Sequence, residues 1–196
     1  MELYKQISDA NRIKYGTGAE KILWIIINQY SDRTHFIYEI LQNAEDAGAT
    51  RIQFHLEKEK LVIEHDGRPF NEKDIEGVCG IANGTKEDGT RIGHFGIGFK
   101  SVYCYTEHPY IYSGEYHFVI QNQLFPKEVP GRQEIAYDET CMILPFDKGE
   151  VPSGIAYHEI RDALTKKITA ESIIMLNQIS DVRIKIDGYP EEIEIN

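Results

Sequence analysis

Glu39, Asn43 and Asp46 stand four and three positions apart in Glu39-Ile40-Leu41-Gln42-Asn43-Ala44-Glu45-Asp46-Ala47, which stacks two carboxylates and an amide along one face of a helix. A carboxylate and an amide held this way can orient a water at one turn and offer an oxygen to a hard cation at the next. An acidic helix face is also what a merely solvated helix shows, so the string needs a partner before it means chemistry. Gly93-His94-Phe95-Gly96-Ile97-Gly98-Phe99-Lys100-Ser101 is a candidate partner. Its glycines let backbone N–H groups approach an anion, and a helix starting near Gly98 would add a positive dipole end. The string misses both common phosphate motifs: Phe99 separates Gly98 from Lys100, and Ser101 stands where a dinucleotide fingerprint needs glycine. Between the two lies His65-Asp66-Gly67-Arg68-Pro69-Phe70, whose Asp-Gly alone marks only a turn.

The elements that must position these strings are readable from periodicity. Ala19 to Tyr30 reads as a helix buried on most sides, preceded by a polar lead-in over 1–18. Ser31 or Asp32 caps a second helix, with Phe36, Ile37, Ile40, Leu41 and Ala44 facing the core and Gly48 ending it. Ile52, Phe54 and Leu56 alternate with polar residues, and Leu61-Val62-Ile63 follows a charged turn, which predicts a β-hairpin over 50–65. Asn71 opens a short helix to Cys79, and a mobile loop follows over about 80–99. Strands are expected in 103–120, 140–146 and 182–186, a proline-bearing connection in 125–131, and helices over 155–168 and 170–178. Helices clustered early and late around antiparallel-type strands predict an α+β fold, a two-layer sandwich with a mixed, mostly antiparallel sheet and helices on one face.

The chain has 196 residues, 41% apolar and 27% charged, enough for one globular domain with a sizeable core. A net charge of −11 without a basic run disfavours direct nucleic-acid binding and anionic membranes. Cys79, Cys104 and Cys141 form no C-x-x-C pair, and no apolar stretch is long enough to span a bilayer, so a cytoplasmic location is expected. The seven histidines show no H-x-x-x-H pair and no Cys/His cluster, so no structural zinc site is expected.

The order of the three strings resembles the GHKL ATPases of the Bergerat fold. Glu39-x-x-x-Asn43-x-x-Asp46-Ala47 looks like the N-box, the hairpin end like the first glycine box, and Gly93-x-x-Gly96-x-Gly98 like the second. Tyr30-Ser31-Asp32-Arg33-Thr34, Gly67-Arg68-Pro69-Phe70 and Phe95-Gly96-Ile97-Gly98-Phe99-Lys100-Ser101-Val102 are similar to the sacsin N-terminal ATPase-like subgroup. The resemblance runs from about Ala19 to Phe146. It implies that Glu39 is the general base orienting the attacking water, Asn43 a Mg²⁺ ligand, and Asp46 a pocket carboxylate near the nucleoside. Gly93, Phe95, Gly96, Ile97 and Gly98, with the N–H groups of Phe99 and Lys100, would wrap the phosphates of ATP as a lid. Thr140 would support adenine recognition, and Lys86 or Arg91 would reach a phosphate on closure unless they are simply solvated loop charges.

At the first glycine box, alignment on Gly67 puts His65 where the family has the aspartate that accepts the adenine amine, and Pro69 on the second glycine. Asp66 could assume the role if the chain turns at the strand end, or a neutral His65 could accept with one ring nitrogen. The implied function is Mg²⁺-dependent ATP binding and slow hydrolysis, with lid closure as a switch in a larger sacsin-like protein or complex and with a possible ATP-dependent homodimer. A chaperone-like role and a bacterial defence role both suit such a module. The competing expectation is a non-hydrolysing nucleotide sensor or protein-interaction module with an altered adenine pocket.

Overall fold

The computed structural model describes residues 2–27, 31–81, 98–174 and 176–195. The alternation read in the sequence forms β1 (Arg51–Leu56) and β2 (Lys60–His65), an antiparallel hairpin with Ile52 opposite His65 and Leu56 opposite Leu61. Because paired residues point to one side, Ile52, Phe54, Leu56, Leu61 and Ile63 bury a single face together. Each such side chain contributes about 2 kcal/mol of burial. β3 (Tyr110–Ser113), β4 (Tyr116–Gln121), β5 (Phe125–Glu128), β6 (Thr140–Pro145), β7 (Asp181–Ile186) and β8 (Ile193–Ile195) complete an eight-stranded sheet. The order is β5-β4-β3-β6-β2-β1-β7-β8, and the β1–β7 pair is its one parallel junction. The expected α+β sandwich with a mostly antiparallel sheet is the fold observed.

The helices are α1 (Glu2–Tyr15), α2 (Ala19–Ile27), α3 (Phe36–Asp46), α4 (Glu72–Cys79), α5 (Ser153–Lys166) and α6 (Ala170–Ile173). α4 starts on a reciprocal cap: Asn71 accepts from the Lys73 and Asp74 N–H groups while Asp74 accepts from the Asn71 N–H. The opposite sheet face carries a smaller cluster of Tyr112, Cys141 and Ile143, packed against Val129 and Ile135.

Several expectations are corrected. The polar lead-in folds as α1, whose Tyr4 and Ile7 are buried and whose Asn11 amide donates to the Cys79 and Leu124 carbonyls, at 3.0 and 2.8 Å. Of its described side chains α2 buries Ala19, Leu23 and Ile27 and leaves Ile22, Trp24 and Ile25 exposed, so the run of bulky residues overstated its burial. The strand expected from Tyr103 begins at Tyr110, because Gly98–Cys104 forms a 3₁₀ helix. The connection over 125–131 opens with edge strand β5, where Pro126 costs no ladder bond. The helix expected over 170–178 ends at Ile173, and β8 had no periodic signal. No helix among the described residues is long and apolar enough to cross a membrane, and the three cysteines are free.

Candidate active site

α3 reaches the site through contacts at both of its ends. Before it, Asp32 caps the Arg33–His35 turn by accepting from the Thr34 N–H at 3.0 Å and the Thr34 hydroxyl at 2.7 Å. The Lys167 ammonium bonds the same carboxylate and, with Thr34, holds its pKa down to about 2 against burial. Arg33 pairs with Glu159 of α5 at 2.5 Å, and the Tyr105 hydroxyl donates to the same Glu159 at 2.7 Å. At the far end Glu45 is buried and accepts from the N–H groups of Asn177, Gln178 and Ile179, at 2.6 to 3.1 Å. Burial pushes its pKa up, but these backbone donors outweigh it and hold the carboxyl below its ordinary value.

Between these anchors α3 presents Glu39 and Asn43. Glu39 Oε1 lies 3.2 Å from His35 Nε2, and its other oxygen crowds Gly98 so closely that a Cβ there would sit 1.8 Å from Oε2. The first and third sequence strings therefore meet at Glu39 and Gly98. Asn43, one turn further, lines a cavity with His65, Phe70, Val78, Phe99 and Met142, and its amide has no hydrogen-bond partner among the described residues. Asp46 does not join them: it is exposed, accepts from the Gln42 amide at 3.2 Å, and lies off this cavity's lining.

The end of β2 separates the two candidates for base recognition by strand alternation. His65 points to the core face and is 4% exposed. Asp66 turns away, accepting from the Thr50 hydroxyl at 2.6 Å and from the Thr50 and Arg51 N–H groups at 2.8 and 2.9 Å. These bonds lower the Asp66 pKa against the cost of burial, and both oxygens are engaged in fixing the α3–β1 turn. Between the two alternatives, the structure puts His65, not Asp66, on the cavity. Its Nδ1 accepts from the Gly67 N–H at 3.2 Å, and burial, opposed by the Asp66 charge, pushes its pKa down to about 4, so the ring is neutral. Gly67 is closely approached: a Cβ would come 3.0 Å from the Ala47 Cβ and 3.1 Å from the Ala49 nitrogen and His65 Nδ1.

Thr140 sits opposite His65 in the β2–β6 register. Its hydroxyl shares a 2.5 Å hydrogen bond with Ser113, which accepts from the Phe70 N–H at 2.8 Å. Phe99 forms one apolar wall and packs edge-on against Tyr103. The Lys100 side chain runs away from the cavity: it is fully buried and donates to the Val78 and Gln123 carbonyls at 2.7 and 2.5 Å. Burial lowers its pKa to about 8, partly offset by Cys79. The helix expected at Gly98 is a short 3₁₀ helix, which offers less dipole than the α-helix the phosphate reading assumed. Lys86, Arg91, Gly93, Phe95, Gly96 and Ile97, and so most of the expected lid, lie outside the described residues, as does Tyr30.

The cavity is nearly filled, with about 10 Å³ of free space, room for about one water. Its apolar walls must part before a planar ring can enter. A larger cavity of about 700 Å³ lies between α1, α2 and the turn after β4, but of the motif residues only Arg33 lines it. No group of three or more His, Cys, Asp or Glu poised for a metal occurs among the described residues. Asn43 would therefore hold Mg²⁺ only together with phosphate oxygens and water, which suits that ion's reluctance to dehydrate. Sequence reasoning missed His35, although it stands one turn before Glu39, and missed Ser113 and Glu45, whose partners are distant in the chain.

Residues 61–137 match the family model described as the Sacsin domain. The chain is 33% identical over 107 residues to sacsin of Homo sapiens, covering 45% of this chain and 2% of that protein. It is 36% identical over 95 residues to the protein NO VEIN of Arabidopsis thaliana, covering 45% of this chain and 4% of that one. The chain thus spans a small fraction of the length of these curated relatives.

Proposed function

We propose that this chain is a Mg²⁺-dependent nucleoside-triphosphate-binding and hydrolysing domain, with ATP the substrate implied by its resemblance to the GHKL ATPases, acting as a switch within a larger sacsin-like protein or complex. The observation that carries this reading is the convergence of three sequence-distant strings: Glu39 against Gly98, and Asn43, His65 and Phe99 around one cavity. Glu39 orients and deprotonates the attacking water, and His35, 3.2 Å away, fixes the carboxylate. Asn43 supplies the uncommitted amide oxygen to the metal, and the apolar walls take the base. Mg²⁺, when bound, neutralises developing charge on the transferred phosphoryl group.

Calorimetric titration with ATP and GTP, with and without Mg²⁺, tests this on the wild type and Glu39→Ala. Mg²⁺-dependent binding that persists in the variant, with turnover reduced by about 10²- to 10⁴-fold, is expected. Undiminished turnover removes Glu39 from the base role. Absence of binding to either nucleotide replaces this reading with the interaction module.

A further inference from the structure

The cavity's one deeply buried ionisable side chain presents the wrong hydrogen-bonding sense for an amine. His65 Nδ1 is already occupied by the Gly67 N–H, which fixes the proton of the neutral ring on Nε2. Nε2 has no hydrogen-bond partner among the described residues, so its N–H, at the edge of the cavity, is left for an entering group. It donates whether or not the ring is charged. The side-chain acceptors around it are committed. The Asp74 carboxylate on the same cavity takes Arg68 at 2.7 and 3.3 Å and the Asn71 N–H at 2.8 Å. Asn43 stands on the Glu39 side, where the reading above assigns its oxygen to the metal. An adenine amine directed at His65 would face a donor with a donor, leaving both unsatisfied in an apolar enclosure. A carbonyl oxygen at the same ring position would accept the Nε2 proton.

We propose that His65 Nε2 reads the base as a hydrogen-bond donor, so that the pocket takes 6-oxopurine nucleoside triphosphates, GTP and ITP, in preference to ATP. The inference rests on the nucleotide site proposed above and changes only the base it selects. Gly67 is part of the device, since its N–H sets the tautomer and its missing Cβ lets the backbone come close enough to do so.

The test is calorimetric titration of the wild-type chain with the Mg²⁺ salts of ATP, GTP and ITP, repeated on His65→Asp and His65→Asn. ITP shares the 6-oxygen of GTP but lacks its 2-amino group, so it isolates the contact. Expected is binding of both GTP and ITP at least about tenfold tighter than ATP, with the order reversed by His65→Asp, which offers only acceptors. His65→Asn, which can present either sense, should flatten the preference and serves if the aspartate variant does not fold. ATP binding as tightly as ITP overturns the inference while leaving the nucleotide site standing. GTP preference without ITP preference overturns it too, because the 6-oxygen would then not be the group read. An order unchanged in both variants removes His65 as the reader. Binding of none of the three overturns both this inference and the proposed function.

Discussion

Two glutamates on α3 are held in opposite ways. Glu45 is 9% exposed and saturated by three backbone N–H groups of the 177–179 segment, which fixes its charge and ties α3 to the approach of β7. Glu39 keeps 27% of its side chain exposed, with a histidine on one oxygen and a glycine against the other. A carboxylate enclosed by backbone donors has a lowered pKa and no room for a water, whereas one held from its flank can take a proton and hand it on. The same division separates Asp66, bound to Thr50 and Arg51, from its neighbour His65 on the cavity. In both pairs one acidic group, Glu45 or Asp66, is held by backbone N–H donors that tie two segments of the fold together.

Gly98→Ala should break the contrast most severely. Its Cβ would overlap Glu39 Oε2, so the carboxylate must swing away, and turnover should fall about 100-fold or more. A steady-state assay beside a thermal melt checks this, and full activity would show that Glu39 does not work from this position. Glu45→Ala should leave three backbone N–H groups, that of Ile179 buried, without their acceptor and cost about 2 kcal/mol in a urea titration, while Glu39→Gln should cost less than about 1 kcal/mol. Equal losses for the two would erase the distinction.

Acid sharpens the second pair. His65 titrates near 6.5 when unfolded and about 4 when folded, so between those values the unfolded chain binds the extra proton. Stability is fully present above pH 6.5 and falls as pH drops towards 4, by about 3 kcal/mol from this group. Glu45 and Asp66, whose pKa values are lowered, give up their contributions only as pH falls below the ordinary carboxylate range. Urea midpoints at pH 7 and 4.5 should therefore differ, and His65→Gln should remove most of the difference. A small effect is expected for Asp66→Asn, about 1 kcal/mol with nucleotide preference unchanged, because its carboxylate faces the turn. A changed preference in that variant would return base reading to Asp66.

Much of the scaffold was legible because it is periodic. Phe36, Ile37, Ile40, Leu41 and Ala44 announce α3, the alternation around Phe54 announces the hairpin, and both are buried as read. The meeting of Glu39 with Gly98 followed from the order of the strings, whereas the parting of Asp46 from Asn43 did not. Spacing on a helix face leaves an arc wide enough for one residue to face the cavity and another the solvent. The choice between His65 and Asp66 depended on where β2 ends, the least certain thing in any sequence pattern. Lys100 escaped for a different reason: a lysine in a glycine-rich string suggests an anion, and nothing local says that the Val78 and Gln123 carbonyls wait for it inside.

The lone parallel junction between β1 and β7 bears on how the chain can assemble. The β1–β2 hairpin forms from neighbouring residues, but the other edge of β1 stays unpaired until the chain has passed α5 and α6 and delivered Asp181–Ile186. A nascent or truncated chain lacking β7 displays an open strand edge above Ile52, Phe54 and Leu56, the template on which chains pair with one another. Closure by so distant a segment gives this junction the largest loop-closure cost of any strand pairing in the sheet.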